Sequence, residues 1–333
     1  MNRRQLGRSG LDLSAVGFGA WAIGGAGSIY GWGPQDDDVS VATIRRAVDA
    51  GVNWIDTAPL YGAGHSEQVV GRALREIPVA SRPLVFTKCG NVLDPAKPFE
   101  PPVRDLSIAS IRREVEASLR FLGIEAIDLY QFHWPDETGV PVEESWGELG
   151  RLIDEGKIRH AGVCNFDIAL LERCEALHHV ASLQVPFSAV RREVAVELIP
   201  WAKRHGTGVI VYGPMLHGLL TDDFGIERLA AMAPDDWRRK NRFFNEPELS
   251  RVLVFRDALR PIAARHGVNV AAVAIAWALA WPGVTGAIAG ARSPQQVDGL
   301  AAGGTLDLST EDRDEIGAAL RESGAGSGPM LAS

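Results

Sequence analysis

Four residues suited to protonating a carbonyl oxygen recur at one kind of position, at or just after the end of a short apolar run. Asp56 closes Val52–Asp56, with Tyr61 in the segment just after it, Lys88 closes Leu84–Lys88, and His133 closes Ile127–His133. Asn165 follows His160–Cys164, Gln184 lies near the end of Ser182–Val185, and Tyr212 closes Val209–Tyr212. When hydride adds to a carbonyl carbon, the oxygen becomes an alkoxide and needs a proton. A free phenol, with a pKa of about 10, releases its proton reluctantly near neutrality. A neighbouring ammonium favours the phenolate, and lowering the pKa by ~2–3 units takes roughly 3–4 kcal/mol. Lys88 can be that cation, Asp56 the carboxylate that keeps a buried Lys88 charged, and His133 the group that aims the carbonyl oxygen. Singly, such residues are more often turn, cap or packing residues. The reading needs a fold that gathers these chain positions at one place.

The element pattern supplies one. With Ala15–Gly19 and Val284–Ala289, the apolar runs make eight strands that read as continuously hydrophobic, as in a parallel sheet covered on both faces. Helix-period stretches alternate with them: Val39–Ala50 before Gly51, Ile108–Leu122 before Gly123, and Glu143–Glu155 before Gly156. Each is stopped by a glycine. Thr310–Leu320 opens with Ser309 and Asp312, close to a capping box. Even spacing with no composition break predicts an α/β fold, a single (β/α)₈ TIM barrel over residues 1–333, with active groups at the C-terminal strand ends. Arg3–Leu13 reads as an N-terminal hairpin plugging the opposite end, and 321–333 as a flexible tail. The long connections Ala20–Asp38 and Gly213–Asn245 follow strands, so they belong at the C-terminal face. Gly17-Phe18-Gly19-Ala20-Trp21-Ala22 fits a dinucleotide fingerprint, but no helix opens after it, so a Rossmann reading fails.

Composition narrows the class. Of 333 residues, 46% are hydrophobic and 23% charged, enough for a sizeable core. The net charge of -8 argues against a nucleic-acid partner. Met1–Leu6 has charge but no apolar stretch behind it, so no signal peptide is expected. Val270–Trp281 is too short to span a bilayer and reads as a buried helix. Cys89, Cys164 and Cys174 match no metal spacing, and reduced thiols in a cytoplasmic protein are the simplest reading. No metal is expected: His65 reads as part of a helix start, and His178, His179 and His205 lack partners at ligand spacing. Cys89 reads as a buried filler. Arg238-Arg239-Lys240 fits a phosphate grip and a solvated face equally.

The run Asp56-Thr57-Ala58-Pro59-Leu60-Tyr61-Gly62, then Gly64-His65-Ser66-Glu67 and Gly71, resembles the aldo-keto reductase signature. Gly19-Ala20-Trp21, Lys88, Asp128 to His133, Gly162 to Phe166 and Gln184 follow in family order. Tyr212-Gly213-Pro214-Met215 with Gly218, Leu219 and Leu220 resembles the family's cofactor-clasping loop, and Gly290-Ala291-Arg292-Ser293-Pro294 its C-terminal cofactor loop. The resemblance implies the catalytic tetrad Asp56, Tyr61, Lys88 and His133 and a nicotinamide cofactor across the barrel mouth. Tyr212 would stack on the nicotinamide, Asn165 and Gln184 would bond its carboxamide, and Trp21 and Asp56 would lie near its ribose. Cys164 stands where Ser is frequent. Gly290 replaces a basic residue, Gln296 an Arg, and Leu300 an adenine-contacting Asn. Arg292 remains to meet a 2′-phosphate bidentately, so NADPH is expected over NADH. Trp21, Tyr30, Trp32 and Trp134 would wall a pocket for a small or aromatic carbonyl substrate, with Tyr61 and His133 at its floor. A cofactor-binding regulatory subunit of the same fold is the alternative. A Schiff-base aldolase using Lys88 would leave Tyr61 and the clasping loops without a task.

Overall fold

The computed structural model describes residues 1–330. Ten strands form among the described residues: β1 (Arg3–Gln5), β2 (Asp12–Ser14), β3 (Val16–Gly19), β4 (Trp54–Asp56), β5 (Leu84–Cys89), β6 (Ile127–Phe132), β7 (Ile158–Cys164), β8 (Ser182–Pro186), β9 (Gly208–Tyr212) and β10 (Val284–Ala289). β1 and β2 pair antiparallel as the expected hairpin. β3 to β10 close a parallel eight-stranded barrel in sequence order, β10 pairing with both β9 and β3. Helices lie between successive strands, giving a (β/α)₈ barrel.

The hairpin closes the N-terminal end by packing. Leu6 and Leu13 are fully buried against Trp54, Phe86, Leu129 and Ile210, and Trp54 Nε1 donates to the Ser14 carbonyl at 2.8 Å. This layer explains Gly17 of the false dinucleotide fingerprint. A Cβ there would lie 2.2 Å from the Trp54 ring, so the position must be glycine for packing, not for a phosphate. The larger apolar layer fills the space between strands and helices. Val270–Ala280, apolar all round, is buried from Val270 to Leu279, as such a helix must be in a compact chain. No single helix is long and apolar enough to cross a membrane among the described residues.

Helix ends follow local chemistry. The first barrel helix runs Asp37–Asp49, two residues earlier than the apolar pattern predicts, because the Asp36 side chain caps Val39 N. Asp37 and Asp38 suit the positive end of a helix even though they read as loop. Ile108–Leu122 is capped by Ser107 and stopped by Gly123 at φ 67°. Ser309 and Asp312 form the full capping box of Thr310–Ser323. The tail expected to be flexible is corrected over most of its length. That helix continues to Ser323, and beyond it Ser327 N donates to Val190 O while Arg192 Nε donates to Pro329 O at 2.9 Å. The remainder of 321–333 lies outside the described residues.

One buried carboxyl makes stability depend on pH. Glu67, on His65–Glu76, is fully buried; one oxygen accepts from Thr87 Oγ1 at 2.7 Å and the other has no partner among the described residues. Burial pushes its carboxyl up to about 7. A raised acid pKa gives stability that is present below the unfolded value and lost as pH rises through the folded one. From an ordinary value of 4.5 to about 7, the loss is about 3 kcal/mol. Glu67→Gln mimics the protonated acid and should remove that part of the slope. Denaturant unfolding at pH 5 and pH 8 measures it, and an unchanged slope would move the titration to another group.

Candidate active site

Strand ends and the loops after them build one cavity of about 1220 Å³ at the C-terminal face. It exceeds the roughly 300–1,000 Å³ of a typical small-ligand site, leaving room for a dinucleotide and a second molecule. Asp56 ends β4 on the cavity wall. Lys88, on β5, lies behind it, fully buried. The Lys88 Nζ donates to Asp56 Oδ1 at 2.6 Å, to the Thr57 carbonyl at 2.9 Å and to the Tyr61 hydroxyl at 3.3 Å. Tyr61 sits on the loop after β4, its ring edge-on to His133 with centroids 5.8 Å apart. His133 follows β6, and its backbone N donates to the Cys89 carbonyl, which ties it to the end of β5.

The electrostatics follow from burial and from who holds Lys88. Burial alone would discharge the amine, but Asp56, and after it Tyr61, hold it above its ordinary value. An ammonium kept charged by Asp56 is a poor amine nucleophile, which weighs against the Schiff-base reading. Burial pushes the Tyr61 phenol above its ordinary value; Lys88 pulls it down, and Asp56 opposes that pull. The expected acidified phenol is therefore corrected. The ammonium lies closer to the carboxylate than to the phenol, so most of its charge is already answered. Tyr61 stays a neutral acid through neutral pH. Burial, reinforced by Lys88 and Arg104, holds the His133 imidazole well below its ordinary value, so it is a neutral hydrogen-bonding group.

The other candidate residues divide between cavity wall and supporting layer. Gly19, Trp21, Tyr30, Trp32, Trp134, Asn165, Gln184, Tyr212, Gly213, Pro214, Met215, Gly218, Gly290, Arg292 and Gln296 line the cavity with Asp56, Tyr61 and His133. Ala20, Cys164, Leu220 and Ala291, expected at the cofactor, are instead buried behind the wall. Ala20 N is spent on the Asp56 carbonyl, and the Cys164 thiol faces Gln131 at 3.8 Å. The two amides expected to face a carboxamide also brace the site. Gln184 Nε2 donates to Asp56 Oδ2 at 2.8 Å. Asn165 Nδ2 donates to the His133 carbonyl at 3.1 Å, and Asn165 Oδ1 accepts from the Tyr212 hydroxyl at 2.9 Å.

Loop 213–245 brings a residue that the sequence did not single out. Trp237 stacks on Trp21 with centroids 4.9 Å apart, and Trp21 stacks in turn on Tyr61 at 5.9 Å. Trp32 and His217 stand edge-on to Trp237. The only sequence signal was an aromatic residue in an over-long loop. Arg238 lies over Trp32 at 4.6 Å and pairs with Asp236 at 2.6 Å, so of the basic cluster it alone lines the cavity. Arg239 binds carbonyls of its own loop instead. His65 pairs with Asp37, the Cys89 thiol is pushed well up by burial, and no metal-holding cluster exists among the described residues.

The chain's similarity to known proteins follows the same outline. The model of the aldo/keto reductase family matches residues 15–321. An aldo-keto reductase of Bacillus subtilis, YhdN, is 36% identical over 309 residues, covering 92% of this chain and 90% of that protein. An NADH-specific methylglyoxal reductase of Escherichia coli is 33% identical, covering 94% and 96%. A solved glycerol dehydrogenase of Gluconobacter oxydans superposes with a TM-score of 0.87 at 36% identity, covering 99% of each chain. A Klebsiella pneumoniae aldo/keto reductase in complex with NADP and acetate superposes at 0.72 with 26% identity, covering 99% of this chain and 98% of that one.

Proposed function

The chain belongs to the aldo/keto reductase family and is a nicotinamide-dependent oxidoreductase, and from that premise we propose that it reduces aldehydes or ketones with NADPH, Tyr61 donating the proton. The observation that carries this is the Lys88 ammonium held between Asp56 and the Tyr61 hydroxyl, with the neutral His133 beside that phenol. The bound nicotinamide supplies the hydride. His133 and Tyr61 bind and orient the carbonyl oxygen between them. The Tyr61 hydroxyl gives its proton to that oxygen, and Lys88 stabilises the phenolate left behind. Gln184 and Asp56 keep Lys88 aimed at Tyr61. The aromatic wall of Trp21, Trp32, Trp134 and Trp237 favours small or aromatic carbonyls and excludes water.

Residues fit a nicotinamide dinucleotide along the rest of the cavity. Tyr212 and the Gly213–Met215 turn would hold its reactive end, and Arg292 with Gln296 its far end. One relative is named for NADH specificity and one solved neighbour is in complex with NADP, so the preference for NADPH rests here on the Arg292 guanidinium. Arg292→Ala should weaken NADPH roughly tenfold or more and NADH far less, the scale of a lost charge-assisted pair. Titrations with both cofactors measure it, and equal losses would remove the phosphate role. Turnover over a panel of aldehydes, ketones, quinones and sugars with NADPH tests the activity itself. Tight cofactor binding without turnover would favour a regulatory subunit instead.

A further inference from the structure

Arg292 is held across the mouth by a residue of the first long loop, 257 positions away in sequence. Gln35 Oε1 accepts from Arg292 Nε at 2.8 Å, while Gln35 Nε2 donates back to the Arg292 carbonyl at 2.9 Å and to Ser40 Oγ at 3.1 Å. Arg292 Nη1 donates to the Trp32 carbonyl at 3.1 Å and Nη2 to that of Pro34. Its backbone N donates to Gln296 Oε1 at 2.8 Å. Three of the five guanidinium N–H groups are thus engaged, and one on each terminal nitrogen remains for a ligand.

The same lining carries further charge of both signs, Asp222, Asp223 and Asp236 beside the arginines. Arg228 and Arg238 line the same cavity. Arg238 lies on the ring of Trp32, whose carbonyl Arg292 holds, and is answered by Asp236. The Arg228 guanidinium has no hydrogen bond or ion pair among the described residues. Asp222, also on the lining, is engaged by Arg260 and by Val270 N. An arginine fixed in advance spends no rotamer entropy when an anion arrives.

We infer that Gln35 is a positioning residue for cofactor choice: by clasping Arg292 from both its carbonyl and its Nε, it presents the guanidinium to the phosphate that distinguishes NADPH from NADH. Discrimination then depends on the loop after β3 as well as on the loop after β10. The inference rests on Arg292 taking the 2′-phosphate, and the experiment separates the two claims. Dissociation constants for NADPH and NADH are measured by tryptophan quenching for the wild type, Arg292→Ala, Gln35→Leu and the double variant. Gln35→Leu should weaken NADPH roughly tenfold and NADH by no more than about twofold. The double variant should discriminate no worse than Arg292→Ala alone, because Gln35 acts through Arg292. If Arg292→Ala lowers discrimination and Gln35→Leu leaves it unchanged, or weakens both cofactors equally, the positioning role is overturned. If Arg292→Ala itself leaves discrimination unchanged, the phosphate reading fails and the inference with it.

Discussion

Tyr61→Phe is expected to lower turnover by at least ~10²-fold while cofactor affinity stays within a few-fold, the scale of losing one general acid. The substitution is narrow. A phenylalanine keeps the stacking on Trp21 and the edge contact with His133, and removes only the hydroxyl. Lys88 loses its longest hydrogen bond and keeps Asp56 and the Thr57 carbonyl, so the fold and the charge balance persist. Steady-state turnover with saturating NADPH, beside a direct cofactor titration, reads the two effects separately. A Phe variant with near wild-type turnover would transfer the proton-donor role away from Tyr61.

Lys88→Met should be worse, because it damages both chemistry and stability. Asp56 is 2% exposed, and without the ammonium only the Gln184 amide among the described residues would answer its carboxylate. Orphaning one member of a buried ion pair costs about 3–5 kcal/mol. The phenolate formed at Tyr61 would also lose its cation. The double variant Lys88→Met with Asp56→Asn should recover much of the stability, since the uncompensated charge is gone, and none of the turnover. Denaturant unfolding and activity measured on both variants check this. A Lys88→Met protein of wild-type stability would mean that Asp56 is less dependent on the pair than its burial implies.

Periodicity in the chain determined most of the scaffold. Apolar runs of strand length alternating with glycine-stopped helices admit few topologies, and a closed barrel brings the ends carrying Asp56, Lys88 and His133 to one face whatever the loops do. Arg292 was legible as a lone cation in a cofactor-like loop. Its clasp by Gln35 was not, since a contact between two irregular loops leaves no period in the sequence. The same holds for Trp237 stacking on Trp21. Ala20, Cys164, Leu220 and Ala291 came with the motifs that carry the family resemblance, and only the fold shows that they are buried, because side chains beside one another on a strand or turn point in different directions.

The protonation of Tyr61 belongs wholly to the tertiary structure. Residue types alone say that an ammonium beside a phenol acidifies it. They do not say how deeply the phenol is buried, or that Asp56 takes the nearer position on Lys88. Charge interactions and desolvation depend on distance and surrounding medium, and both are set by chain segments far apart in sequence. The order of the strands, the barrel and the gathering of Asp56, Tyr61, Lys88 and His133 at one face were thus written in the chain, while the state in which those groups meet was decided by how they pack.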